Sequence, residues 1–230
     1  MTSRLVILRP EPGASTTADR ARKQGWAATV IPLFEIAPLD WDPPGPDAFD
    51  AVLMTSANSA RSGGIGLARY HYLPLYAVGA QTAEAAQAIG FETIIAGASD
   101  VEEMADRLRA DGMRRIFHPA GEATRPFDET GLTVTRTPVY AAARVAPPDL
   151  TDAVGSGDIL LVHSPRSGRY LDELCTAQAV ARETLSLVAI SEAALAAAGR
   201  SWRTAIAAER PTDDAMLAAA SSLGGAGAIG

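Results

Sequence analysis

Five segments of this chain recur in the same order at spacings of 106 to 112 residues. RLVILRP, starting at Arg4, resembles RRIFHPA at Arg114. GWAATVIPLFEIAP from Gly25 resembles GLTVTRTPVYAAARVAP from Gly131, which aligns Pro32 with Pro138 and Phe34 with Tyr140. DAVLMTSANS from Asp50 resembles DILLVHSPRS from Asp158, aligning Ser56 with Ser164. LYAVGAQTAEAAQAIG pairs with the shorter SLVAISEAALAAAG, and GASDVEEMADRL pairs with ERPTDDAMLAAA. Chance does not readily keep five spacings so close, so the chain reads as two copies of one unit.

Within each copy short apolar runs alternate with helix-like stretches, the pattern of βα units on a mostly parallel sheet. Strands are predicted at Leu5 to Leu8, Ala51 to Met54, Leu75 to Val78, Thr93 to Ile95, Arg115 to Phe117, Ile159 to Val162, Leu185 to Ile190 and Thr204 to Ala207. Helices are predicted at Thr16 to Gln24, Gln81 to Ile89, Val101 to Ala110 and Tyr170 to Ala177, three of them stopped by Gly25, Gly90 and Gly112. The fold class is α/β. VIPLFEIAPL and RTPVYAAARV are long and proline-marked, which argues against a central strand and for a pair of extended connectors between two lobes. A cleft between such lobes is a common place for a small-molecule site.

With 230 residues and 47% hydrophobic content the chain can bury a sizeable core. Its apolar runs stop far short of a membrane span and nothing resembles a signal peptide, so a cytoplasmic protein is expected. Cys175 is the single cysteine, which rules out an internal disulfide and a cysteine-cluster metal site. A net charge of −7 argues against a general nucleic-acid surface. Lys23 is the only lysine, so almost all positive charge is arginine, the residue suited to bidentate carboxylate or phosphate recognition. The same bias also arises from genome composition alone.

The stretch AVLMTSANS passes abruptly from four buried-strand residues to Thr55, Ser56 and Asn58. Ser and Asn are ordinary helix caps. The amides that open a helix are also held ready for an anion. Ser164 and Ser167 repeat the pattern in the second copy, and Gly79 to Thr82 form a third such turn. Strand ends that face one crevice are where open α/β sheets bind ligands.

The stretches LRP at 8 to 10, IPLFEIAP, VLMTSANSAR, YAVGAQTAEAAQAIG, HPAGEATR, TPVY, LLVHSPRS and the terminal RPTDDAML together resemble the uroporphyrinogen-III synthase family. Coverage runs from about Arg4 to Leu223. The resemblance implies two flavodoxin-like lobes joined by a two-stranded linker. One domain would comprise residues 1–35 and 142–223 and the other 36–141, with residues 224–230 a flexible tail. It also implies an enzyme that needs no cofactor or metal and cyclises the linear tetrapyrrole hydroxymethylbilane, inverting its last ring with loss of water. A monomer without membrane or nucleic-acid partners is expected.

Ionisation drives such a reaction, so the protein must position a flexible polyanion and assist departure of a hydroxyl with a weak acid. That agrees with the absence of a metal-ligand cluster, a G-x-S-x-G element or a Walker loop. By resemblance Tyr140 is the catalytic candidate, since a phenol stays protonated at neutral pH and can donate; the plainer alternative is that it packs like Phe34. Substrate-binding candidates are Arg9, Ser56, Asn58, Gly79, Thr82, Gly121, Arg125, Ser164, Arg166 and Ser191. Arg144 is a further cationic candidate. His118 and His163 read as structural. The family carries a Gly and a nearby Thr where this chain has ISEAALAA, so Ser191 is the hydroxyl that remains there. A two-lobe binding protein for a small polyanion would show the same turns, whereas a nucleotide-dependent Rossmann enzyme lacks its glycine fingerprint here.

Overall fold

A computed structural model describes residues 3–98, 100–146 and 149–223. The chain divides into two compact units, Met1–Glu35 with Arg144–Gly230, and Ile36–Ala143. Residues 224–230, read from sequence as a tail, lie outside the described residues.

The first unit holds strands β1 (Arg4–Ile7), β2 (Ala27–Val30), β9 (Ile159–Val162), β10 (Ser186–Ala189) and β11 (Thr204–Ala207). They form one sheet in the order β11-β10-β9-β1-β2, and every pair is parallel. Numbered along the chain, that is 2-1-3-4-5, an order with a switch point between the first and third strands. Helices α1 (Gly13–Lys23), α5 (Leu150–Ala153), α6 (Pro165–Ala177), α7 (Glu192–Ala197) and α8 (Asp213–Leu223) complete the unit. Ala14, Ala18 and Ala21 of α1 share one core with Met216, Leu217 and Ala220 of α8 and with Leu5, Ile159 and Val188 of the sheet. The small alanines let α1 lie close to the strands.

The second unit is built on β4 (Ala51–Met54), β5 (Leu75–Val78), β6 (Ile94–Gly97), β7 (Arg115–Gly121) and most of β3 (Phe34–Pro38) and β8 (Thr133–Arg144), with α2 (Ala57–Ser62), α3 (Ala80–Ala88) and α4 (Val101–Ala110). Its sheet order is β3-β8-β7-β4-β5-β6. All four residues of β4 are buried because both faces are covered. Val52 and Met54 enter one core with Phe117 and Leu75, while Ala51 and Leu53 enter the opposite one with Ile116 and Tyr76. Leu39 N–H donates to Val139 O at 3.0 Å and Val145 N–H to Leu33 O at 3.2 Å, so β3 runs antiparallel to β8. Both places where the chain passes from one unit to the other fall within this strand pair.

Through the sequence repeat, β2-β1-β9-β10-β11 correspond to β8-β7-β4-β5-β6, so the parallel strands of the two sheets stand in the same order. The register corrects one alignment. Leu5 pairs with Ile159 and Ile116 with Ala51, so Arg4 corresponds to Arg115 and not to Arg114. A one-residue slip would turn every side chain of β7 to the wrong face.

The reading of RTPVYAAARV as a mere connector is also corrected. β8 is a 12-residue strand that lies inside the sheet, between β3 and β7. Pro138 is tolerated because the register breaks there: Ala120 pairs with Pro138 but Gly121 with Tyr140. The bulge absorbs the missing N–H. β3 is likewise a strand within VIPLFEIAPL, and β2, which the sequence reading did not mark as a strand, ends at its first residue, Val30. Helix stops are met as predicted, as at Gly90 with φ +105°. Helices α1, α3 and α6 begin somewhat earlier than the sequence reading placed them, at Gly13, Ala80 and Pro165. Cys175 is buried on α6, and burial pushes its thiol up to about 11.

Candidate functional site

Because the strands within each sheet's parallel set run the same way, their carboxyl ends gather on one edge, and most of the candidate residues stand there. In the second unit β4 ends at Met54 and Ser56 caps α2, its Oγ accepting from Asn58 N–H at 3.2 Å. β5 ends at Val78, and Gly79 opens α3 with φ 84°, ψ 155°, a conformation in which L side chains are strained. Thr82 N–H donates to Gly79 O at 3.1 Å, and the Thr82 side chain is buried. What this turn offers a ligand is therefore backbone. The first-turn amides of each helix have no intrahelical acceptor.

β7 ends at Gly121. A Cβ added there would lie 2.8 Å from Tyr140 Cζ and 2.9 Å from its hydroxyl, so the absent side chain is what seats the phenol. Tyr140 is half-buried, and its hydroxyl makes no hydrogen bond among the described residues. Its main-chain O accepts from Glu122 N–H at 2.9 Å, which ties the bulge to the loop after β7. Arg125 is exposed in that loop and forms no ion pair among the described residues. His118 is buried on β7, with Nδ1–H donating to Leu53 O at 2.8 Å. Burial pushes its pKa down, so it is a neutral ring that ties β7 to β4.

In the first unit β1 ends just before Arg9, and β9 just before His163 and Ser164. These two strands flank the switch point. Ser164 caps α6: its Oγ accepts from Ser167 N–H at 3.1 Å and lies 2.9 Å from Ser167 Oγ. Ser191 caps α7, accepting from Ala194 N–H at 3.3 Å. Serine caps are thus formed at all three serine-bearing turns. Arg166 is exposed and stacks its guanidinium 4.8 Å from the centre of the Phe34 ring. Phe34 itself is buried and meets Tyr170 edge-on at 5.6 Å. Phe34 therefore does not share the half-open setting of Tyr140, its counterpart in the repeat. Arg144 is engaged by Glu173 at 2.6 Å and lies over Tyr170.

Sequence reasoning missed Asp213. Its carboxylate accepts from Arg9 Nη1 at 3.0 Å and from Thr17 Oγ1 at 2.8 Å. His163 Nε2 lies 3.4 Å away, close but outside hydrogen-bond geometry. Burial pushes the Asp213 carboxyl up, but the polar groups of His163 and Thr17 and the Arg9 charge more than offset it and hold it at about 2. Burial pushes His163 down. The one signal for Asp213 in the chain was the acid pair in RPTDDAML. Among the described residues no cluster of three or more metal-ligating side chains occurs, and no helix is long and apolar enough to cross a membrane.

The family model described as uroporphyrinogen-III synthase HemD matches residues 15–218. No curated relative matches at a significant level. Among solved structures, uroporphyrinogen-III synthetase from Helicobacter pylori is similar at 16% identity, with 96% of this chain and 100% of that chain covered and a TM-score of 0.62. A mutant uroporphyrinogen III synthase from the extreme thermophile Thermus thermophilus aligns over 96% of this chain and 98% of its own at 15% identity and TM-score 0.46. The Thermus thermophilus enzyme in another structure gives 16% identity, 96% and 99% coverage and a TM-score of 0.41. The Helicobacter likeness shows a shared α/β fold with parallel sheets flanked by helices.

Proposed function

The chain belongs to the uroporphyrinogen-III synthase family, whose model matches residues 15–218, and we propose that it performs the family's cyclisation of hydroxymethylbilane at the carboxyl edges of its sheets. The observation that carries the residue assignment is the Tyr140 phenol. It is seated over Gly121 at the end of β7, and no acceptor among the described residues takes its proton. A phenol so placed can donate to the departing hydroxyl of the substrate. Loss of that hydroxyl as water leaves an electrophilic azafulvene, which the terminal ring attacks before it is inverted and closed.

The substrate's carboxylates require donors, and each unit supplies them where its parallel strands end. The turns at Ser56 and Asn58 in one unit, and at Ser164 and Ser191 in the other, present first-turn amides beside capping hydroxyls, and the Gly79 turn presents amides without one. Each such turn favours an anion by roughly 0.3 to 1 kcal/mol when exposed. Arg9, Arg125 and Arg166 add charge locally while the whole chain stays at −7. Thr82, buried and with its amide donating to Gly79 O, shapes that turn.

The two units are read as flavodoxin-like lobes, with boundaries at 1–35 with 142–223 and at 36–141. Their origin by internal duplication is supported by the matching order of equivalent strands and by five recurring sequence segments. We expect a cytoplasmic monomer acting on a small-molecule tetrapyrrole.

The test is incubation with freshly made hydroxymethylbilane, followed by isomer analysis after oxidation. The type III isomer is expected. Formation of only the spontaneous type I product overturns the activity, and Tyr140→Phe with full activity overturns the role of the phenol.

A further inference from the structure

We infer that Asp213 is a positioning residue that fixes Arg9 so that its unused donors receive a substrate carboxylate, an inference that rests on the substrate-binding role proposed for Arg9. Only the Nη1 corner of Arg9 is engaged, by Asp213 Oδ1 at 3.0 Å and more loosely by Thr17 Oγ1 at 3.4 Å. Nε and Nη2 make no hydrogen bond among the described residues, and the side chain keeps 33% of its surface exposed. Those two N–H groups form the side-on fork of a guanidinium, the geometry that pairs with a carboxylate.

The guanidinium also has a bed. A Cβ on Gly13 would fall 2.6 Å from Arg9 Nε and 2.7 Å from Nη2, so the glycine at the start of α1 leaves room for the fork. Thr17, fully buried on the next turn of α1, holds the other carboxylate oxygen of Asp213 at 2.8 Å. Arg9 and Thr17, close to one another in the chain, thus meet a carboxylate 204 and 196 residues further on, only 12% exposed. They meet beside the switch point between β1 and β9, where open sheets of this order take their ligands.

Comparison within the molecule separates this cluster from the requirements of the fold. The repeat places Ala120 where Arg9 stands, Thr55 where His163 stands and Val101 where Asp213 stands. The neighbouring anchors are kept: Met104 and Met216 are both buried, and Asp100 and Thr212 each accept an amide of the helix that follows. The second unit therefore builds the same strand order and the same helix start without any charge at these places.

The experiment compares wild type, Arg9→Gln, Asp213→Asn and the double variant. KM and kcat are measured for formation of the type III isomer, and Kd for the stable polycarboxylate uroporphyrin III by fluorescence quenching. Thermal unfolding is followed by circular dichroism. Arg9→Gln is expected to raise KM and Kd about tenfold, and Asp213→Asn about fivefold, with kcat within about twofold of wild type. In the double variant the effect should not exceed that of Arg9→Gln alone, because Asp213 acts only through Arg9.

Unchanged KM and Kd in a folded Asp213→Asn, or independent additive effects, overturn the inference while leaving Arg9 as a substrate residue. Unchanged values in Arg9→Gln overturn both roles. Failure of wild type to form the type III isomer sinks the proposed activity separately, and the uroporphyrin arm still decides the Arg9–Asp213 coupling; no binding by wild type overturns it. If Asp213→Asn does not fold, Thr17→Val decides. It removes the 2.8 Å hydrogen bond to Asp213 together with the looser 3.4 Å contact to Arg9, and no charge, so a raised Kd restored by Thr17→Ser supports the inference and an unchanged Kd overturns it.

Discussion

The two units share their amino edges and differ at their carboxyl edges. In the first, Arg4 holds Asp158 through Nε at 3.2 Å and Nη2 at 2.6 Å. In the second, Arg115 holds Asp50 through the same two nitrogens at 3.1 and 2.6 Å. These are corresponding residues, and in each unit the pair staples the two central strands where they begin. At the opposite edge one unit carries the charged Arg9, Thr17 and Asp213 cluster, and the other carries a phenol seated over Gly121 and a neutral His118. A position that repeats with its partner serves the sheet; a position that has diverged while the backbone stayed the same is free to serve chemistry.

That contrast is broken most severely at the staple. Asp158→Asn removes the charge from a carboxylate only 10% exposed and leaves Arg4 unpaired, so about 3 kcal/mol of stability should be lost. Urea unfolding measures it. Activity per folded molecule should be unchanged, and a specific loss of activity would contradict the division of roles between edges.

Next in size is the phenol. Tyr140→Phe should lower kcat about a hundredfold with little change in unfolding temperature. Gly121→Ala, which puts a methyl group 2.8 Å from the ring carbon Cζ, should reproduce much of that loss. Isomer-resolved kinetics read both.

The two buried histidines give a pH test. Burial pushes His118 and His163 below 6.5, so the unfolded chain binds protons that the folded one excludes. Stability is then fully present above pH 6.5 and falls as the pH drops below it, by up to ~1.4 kcal/mol per unit for each histidine. His163→Thr, which installs the residue found at the corresponding Thr55, should remove about half of that slope in unfolding curves. An unaltered slope would mean His163 is not excluding a proton.

The smallest effect separates capping from anion binding at Ser56. Glycine caps a helix nearly as well as serine, within a few tenths of a kcal/mol. Ser56→Gly should therefore leave stability almost unchanged yet raise KM about two- to fivefold if the hydroxyl also faces substrate. An unchanged KM would leave Ser56 as a cap alone.

Much of this was legible in the chain. The repeat located equivalent strands because buried parallel strands must be apolar along their whole length, as AVLM and ILLV are. Serines and glycines after those strands marked the helix starts, since the capping hydroxyl is a local requirement. The interior strand Thr133–Arg144 was not legible, because Pro138 looks disqualifying until the bulge that accommodates it is seen. Nor was the staple register, which a one-residue ambiguity between Arg114 and Arg115 conceals.

What the sequence determined by itself is the α/β class, the recurring segments, the helix caps and the family, since each depends on residues near one another in the chain or on their order. Only the tertiary structure decided that Asp213 meets Arg9 and Thr17, and that Gly121 seats Tyr140. Sequence separations of 204 and 196 in the first case carry no local trace of a contact. Such pairings are fixed by which strands become neighbours and which helices share a face, and that choice is made by burial of the whole core.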